Sequence, residues 1–292
     1  MPIDPNAALS APHSTEAVAW NESDVLLYHL AVGAGADPLD AAQLTQATES
    51  GDTVVPTFAV VIPTLRATST PGLSLPGVDI DLRKILHASQ RVEIHAPLPR
   101  AGRAEVTTGV SALHDKGSAA VVVLDSEGVG EDGRRLWTSS MRIFARGEGG
   151  FGGERGPDGP PPPPEREPDL VIETPTLPQQ ALVYRLLGDR NPLHSDPAVA
   201  AAMGFPRPIL HGLATFGIVT RAIVDDMLGG DTAAIQAIET RFAGVVFPGE
   251  TLRTQVWREA GRLAFTVDVV DREDAPALTG GEVVLRAAEE AS

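Results

Sequence analysis

Asp189 and His194 stand five positions apart in YRLLGDRNPLHSDP (184–197), an acid and an imidazole within one short stretch. A carboxylate and a neutral imidazole that meet on one water molecule can hold it and take its proton, which is general acid–base chemistry. In an unbroken helix these two side chains would diverge by roughly 140°. The intervening Asn191-Pro192 pair breaks the helix and can fold them toward a common point. The competing reading is local, since Asp, Asn and Pro are simply good turn formers. Further along, Gly212 in PILHGLATFG (208–217) opens a helical pattern. Unpaired N–H groups at a helix start stabilise developing negative charge, and glycine lets a ligand approach closely. Acid, base and oxyanion donor together would make a proton-handling site.

Other chemistries fit these residues poorly. DRNPLHSD begins like a calcium loop, but Leu193 and His194 occupy the places where that loop needs an oxygen ligand and a glycine. His194, Asp196 and His211 contain zinc-ligand types without a zinc spacing, so no metal is expected. Two segments, GVGEDG (128–133) and GEGGFG (147–152), satisfy G-x-G-x-x-G, yet the first joins two strands and the second leads into a proline run. Neither opens a helix, so neither is expected to bind a dinucleotide. G-x-S-x-G and P-loop patterns are missing from the sequence.

The elements that must position the site follow from periodicity. Thr176 and Gln179 read as a capping box for a helix that runs through Tyr184 and stops at Gly188, leaving Asp189 just beyond its end. Leu213, Phe216, Thr220, Ile223, Val224 and Met227 recur at helical spacing until Gly229-Gly230. ETLRTQVWRE, RLAFTVDVVD and GGEVVLRAA then alternate like antiparallel strands. A glycine- and proline-rich stretch, 147–169, divides the chain into a first half, 1–146, and a second, 170–292. The halves read as two copies of one fold. LLYHLAVGAGADPLD (26–40) matches LVYRLLGDRNPLHSD (182–196), aligning Tyr28 with Tyr184, and PTFAVVI (56–62) matches ATFGIVT (214–220). Each copy is expected to hold a short helix, a longer helix and three strands, an α+β layer of one long helix against an antiparallel sheet. The first copy keeps the turn but has Asp40 where His194 falls, so the turn does not itself require the chemical groups.

Composition narrows the partners. Over 292 residues the formal charge is −16, which opposes general binding to nucleic acid or to an anionic membrane surface. Lys84 and Lys116 are the only lysines, so an anionic ligand needs a local basic spot. With no cysteine, thiolate catalysis, disulfides and cysteine-ligated zinc are excluded. No stretch approaches the roughly 18 apolar residues of a membrane helix, and the N-terminus lacks a secretory pattern, so a cytoplasmic location is expected.

YRLLGDRNPLHSDP and GFPRPILHGLATFG resemble the hydratase signature of the type 2 enoyl-CoA hydratases, a MaoC-like dehydratase family that includes the hydratase domain of peroxisomal multifunctional enzyme type 2. The similarity spans nearly the whole chain, through VVPTFAVV, LPRAG, DKGSA, GGFGG and RFAGVVFPGETL. It implies a double hot-dog fold, a homodimer, and cofactor-free hydration of trans-2-enoyl-CoA to (3R)-3-hydroxyacyl-CoA. Asp189 and His194 would then hold and deprotonate the water, Asn191 would fix the loop, and the Gly212 N–H would stabilise the thioester enolate. The resemblance places acyl-CoA contacts at His87, Ala88, Lys116, Arg190, Pro192, Leu193 and Phe242. Ala88 stands where the family often has Gly, and Arg190 replaces the residue usual between the acid and the Asn; both bear on acyl-chain range. The alternatives are a thioesterase on the same fold and a non-catalytic acyl-CoA-binding module.

Overall fold

The computed structural model describes residues 3–70, 75–80, 85–157, 159 and 161–287. Lys84 lies outside them. The first half carries helices α1 (Pro5–Ser10), α2 (Glu22–Ala31) and α3 (Ala41–Ala47), with strands β1 (Ser14–Trp20), β2 (Ile85–Ile94), β3 (Gly102–Asp115), β4 (Ala119–Gly130) and β5 (Arg135–Arg146). The second half carries β6 (Leu170–Pro175), α4 (Gln180–Tyr184), α5 (Pro197–Ala202), α6 (Gly212–Met227), β7 (Ile235–Phe242), β8 (Thr251–Glu259), β9 (Arg262–Val269) and β10 (Ala275–Leu285). All ten strands form one antiparallel sheet in the order β1-β3-β4-β5-β2-β7-β10-β9-β8-β6. Read outward from its centre, the sheet repeats the same connection order on each side. The two halves therefore meet as like elements, β2 against β7, with Ser89 opposite Arg241 and Val92 opposite Ile238.

This is a double hot-dog. Its second half holds the long helix that the apolar spacing predicts: α6 spans 16 residues and buries every side chain from Ala214 to Val224. Phe216, Ile218 and Ile223 are each no more than 1% exposed, and burying a side chain of that size stabilises the fold by about 1.5–3 kcal/mol. Gly217 allows α2 to come close, because a Cβ there would meet Val32 at 2.6 Å and the Tyr28 hydroxyl at 2.7 Å. The matched tyrosines of the two copies also meet, Tyr28 and Tyr184 lying 6.4 Å apart by ring centroid.

Three expectations are corrected. The first copy has no long helix among the described residues; 3-10 turns at Pro56–Val60 and Ile62–Thr64 take its place. Pro63 supplies the physical reason, since it lacks an N–H and its ring clashes with the preceding turn of an α-helix. The Thr176–Gln179 capping box does not form. Thr176 Oγ1 donates instead to the Glu250 carbonyl at 2.8 Å and accepts the Gly249 N–H at 2.9 Å, while Gln180 Oε1 accepts the Leu177 N–H. Among the described residues each half contributes five strands rather than three. Edge strand β1 is mostly exposed and so lacks an alternating apolar signal.

The glycine-rich segment after β5 does cradle an anion, but the anion belongs to the chain. The Asp115 carboxylate accepts N–H groups from Gly117, Gly150 and Gly152 at 2.7–2.9 Å, which holds its pKa below the usual carboxylate value. That bond set pins the start of the linker to the β3–β4 hairpin.

A buried polar chain joins α6 to the first half. Arg221 pairs with Asp225 at 2.6 Å and donates to the Val32 carbonyl, and the Gln46 amide donates to Asp225. His29, 1% exposed, donates from Nδ1 to the Gln46 carbonyl and accepts the Val55 N–H at Nε2. Burial pushes its pKa down to about 4. The unfolded chain therefore binds a proton at His29 that the folded chain refuses, and stability falls as pH drops from about 6.5 to 4, by about 3 kcal/mol in all. Denaturant unfolding across that window should show this fall in the native protein and a shallower one in His29→Gln; equal slopes would count against it.

Candidate active site

Two tight turns build the loop that carries Asp189 and His194. After α4 a 3-10 turn, Arg185–Leu187, ends at Gly188 with φ 118°. The left-handed angle suits glycine, and a Cβ would meet the Thr64 carbonyl oxygen at 1.8 Å. Asp189 is thereby left outside the helix. Its Oδ1 accepts the Asn191 N–H at 3.1 Å, and Asn191 Oδ1 accepts the Leu193 N–H at 3.1 Å. Asn191 so caps the turn Pro192–His194, in which Pro192 and Leu193 are half-buried and His194 swings inward.

His194 is 8% exposed. Its Nδ1 lies 2.9 Å from the Ile209 carbonyl. A carbonyl only accepts, so Nδ1 carries the proton and Nε2 keeps its lone pair. Burial holds the ring below the ordinary imidazole pKa, against the opposing pull of the Ile209 bond and the Asp189 charge. The side chain is thus a neutral base near pH 7. Asp189, His194 and His211 each place a polar atom within 4.8 Å of the others. The acid and the imidazole do converge.

His211 immediately precedes α6. It is 2% exposed, its ring stacks on that of His194 at 3.7 Å and 25°, and its Nε2 donates to the Asp189 carbonyl at 3.3 Å. Stacked rings send their lone pairs out in near-parallel planes, which does not suit two ligands converging on one metal ion. Asp196 is elsewhere, capping α5 through the Ala198 N–H. The candidate zinc set His194, Asp196 and His211 is therefore not assembled.

Gly212, the first residue of α6, faces Phe242; a Cβ on it would come within 3.1 Å of that ring. Phe242 in turn lies 4.6 Å from the His87 ring. One residue along each strand the surface changes character. Ala88 is the extra residue of a bulge in β2, between His87 opposite Ile143 and Ser89 opposite Arg142. It lines a cavity of about 240 Å³ with Lys116, Arg142, Arg155 and Arg241. Lys116 Nζ donates to the Pro157 carbonyl at 2.9 Å. The β2–β7 seam therefore carries an apolar wall toward Gly212 and a basic pocket beside it. Arg190 is engaged apart from both, donating from Nε to the Ala67 carbonyl at 3.1 Å.

Residues 19–147 match the model of the MFE-2 hydratase 2 N-terminal domain, and residues 161–276 match the MaoC like domain. The chain is also 50% identical over 284 residues to enoyl-CoA hydratase ChsH3 of Mycobacterium tuberculosis, covering 97% of this chain and 99% of that one. The chain belongs to the MaoC-like hydratase 2 family. A peroxisomal enoyl-CoA hydratase 2 of Arabidopsis thaliana is 40% identical, with 87% of this chain and 86% of that one aligned. Among solved structures, a MaoC-like dehydratase from Phytophthora capsici superposes with a TM-score of 0.87 at 32% identity, covering 97% and 99% of the two chains. The loop in which Asp189 and His194 meet lies within the segment that matches the MaoC like domain. The sequence pairs His211 with His194 only as part of a discarded metal set; its place beside Asp189 comes from the packing of α6 against the loop.

Proposed function

We propose that this hydratase 2 family member adds water reversibly to trans-2-enoyl-CoA, giving (3R)-3-hydroxyacyl-CoA without a cofactor. The observation that carries the reading is the convergence of a carboxylate, a neutral imidazole with a free Nε2 and the N-terminus of α6. Asp189 and His194 hold one water between them. As its oxygen bonds to C3, the proton passes to the pair, and the C2–C3 π electrons move into the thioester carbonyl. The resulting enolate oxygen faces the Gly212 N–H. Return of the proton to C2 completes the net addition of one water. Phe242 and His87 border the reacting end.

A chiral product assay across enoyl-CoA chain lengths tests this. The expected product is the (3R) alcohol at one or more lengths, and no hydration at any length overturns the reading. Free CoA in a thiol assay would select the thioesterase, and tight binding with an unchanged double bond the binding module. The same reading carries a homodimer and a cytoplasmic location, tested by light scattering and cell fractionation.

In so acidic a chain, the basic pocket beside Ala88 suits the phosphates of CoA. Lys116→Ala and Arg241→Ala should each raise KM about 5- to 20-fold with kcat within about 2-fold, because they remove binding shared by ground and transition states. The effect should shrink at about 0.5 M salt. A fall in kcat at constant KM would remove these residues from phosphate binding.

A further inference from the structure

We propose that His211 is a positioning residue, one side chain that brackets both members of the Asp189–His194 pair. The inference rests on the hydratase reading for its kinetic consequences and on geometry for its substance.

Among the described residues His194 has one polar restraint on its ring, the Nδ1 bond to the Ile209 carbonyl. A single hydrogen bond fixes where one nitrogen sits but leaves the ring free to rock about that contact. The His211 ring, stacked at 3.7 Å and 25°, sets the plane that the bond leaves open. The same imidazole donates from Nε2 to the Asp189 carbonyl at 3.3 Å, tying down the backbone that carries the carboxylate. With Nε2 protonated, Nδ1 is the unprotonated nitrogen, and it is buried without a hydrogen-bond partner among the described residues. A buried polar atom left without a partner is unfavourable, so packing alone would be better served by an apolar ring. The histidine is explained by what its other nitrogen and its face do.

The support behind His211 is equally specific. Tyr184, 1% exposed, lies 5.0 Å away by ring centroid and packs against the His211 ring. The charged and titratable groups around His211 are Tyr184, Arg185, the Asp189 segment and His194, and burial keeps its own ring neutral. In the first copy, the alignment of Phe58 with Phe216 sets Thr53 at the corresponding place. The copy that lacks the catalytic pair also lacks the bracket.

Three variants separate the two contacts. His211→Phe keeps a ring to stack and loses the donor, His211→Gln keeps a donor and loses the ring, and His211→Ala loses both. For the Ala variant kcat on crotonyl-CoA should fall about 100-fold with KM within about 3-fold, since misplacement of about 1 Å is worth a loss of that order. Phe and Gln should each recover part of it. Thermal melts confirm that each variant folds; if Ala does not fold, the Phe and Gln variants carry the same test, each with about a 10-fold loss. Nitrogen-15 NMR of the imidazoles gives a readout independent of turnover. His194 should hold a single tautomer in the native protein and a mixture in the Ala variant. A folded Ala variant with kcat within about 2-fold of native overturns the proposal, as do Phe and Gln variants no better than Ala. Should the native protein hydrate no enoyl-CoA, the functional reading fails and the NMR comparison alone decides: a released tautomer supports the bracket and an unchanged one overturns it.

Discussion

Asp189→Asn is expected to lower kcat by more than about 100-fold while leaving the fold intact. The substitution is nearly isosteric, and the new amide oxygen can still accept the Asn191 N–H that Asp189 Oδ1 accepts at 3.1 Å. The backbone carbonyl that His211 binds is untouched. What disappears is the negative charge beside His194 and one acceptor for the water. Since the turn is kept and only the charge is lost, the deficit should fall on kcat rather than on KM or on the melting temperature. Steady-state kinetics on crotonyl-CoA with a melting curve for each protein decide the matter. Turnover within about 10-fold of native, in a folded variant, would remove the carboxylate from the chemistry.

The loop that carries Asp189 and His194 is legible because its signals are local. Gly188, Asn191 and Pro192 dictate where the chain bends, and a bend between Asp189 and His194 is enough to fold them together. Helix α6 was legible for the opposite reason: its apolar repeat is long, and Gly229-Gly230 ends it without ambiguity. The unread features depend on partners distant in sequence. Glu239 on β7 pairs with Arg91 on β2 at 3.6 Å and with Arg142 on β5 at 3.3 Å, so these charges sit on one face of the sheet at the seam. A strand stabilised by such pairs shows little apolar alternation. The capping box expected at Thr176 fails because the acceptor for its hydroxyl, the Glu250 carbonyl, comes from a loop 74 residues away. In the first copy, the resemblance of PTFAVVI to ATFGIVT is real in sequence but does not extend to helix length, because Pro63 cuts it. His211 belongs to the same class, a histidine whose place beside Asp189 and His194 comes from the packing of α6.

Removing the base should be as damaging as removing the acid. His194→Gln places a side-chain amide where the ring was, so a donor toward the Ile209 carbonyl can be kept while the basic Nε2 is lost. A glutamine amide cannot take a proton near neutral pH, and kcat should fall by about 10²- to 10⁴-fold. The native pH profile supplies the second half of the test. As the proposed base, His194 has to be neutral to act, and burial sets its pKa below 6.5. Activity should therefore stay level as pH falls to about 6.5 and decline only as the folded-state pKa is passed, with kcat/KM reporting the free enzyme. His29 destabilises the fold over the same acid range, so each rate must be read on protein shown to be folded at that pH. The residual activity of His194→Gln should lack that decline. An acid limb centred above pH 6.5 in the native protein, or one that survives unmoved in the variant, would assign the titration to another group and take His194 out of the proton transfer.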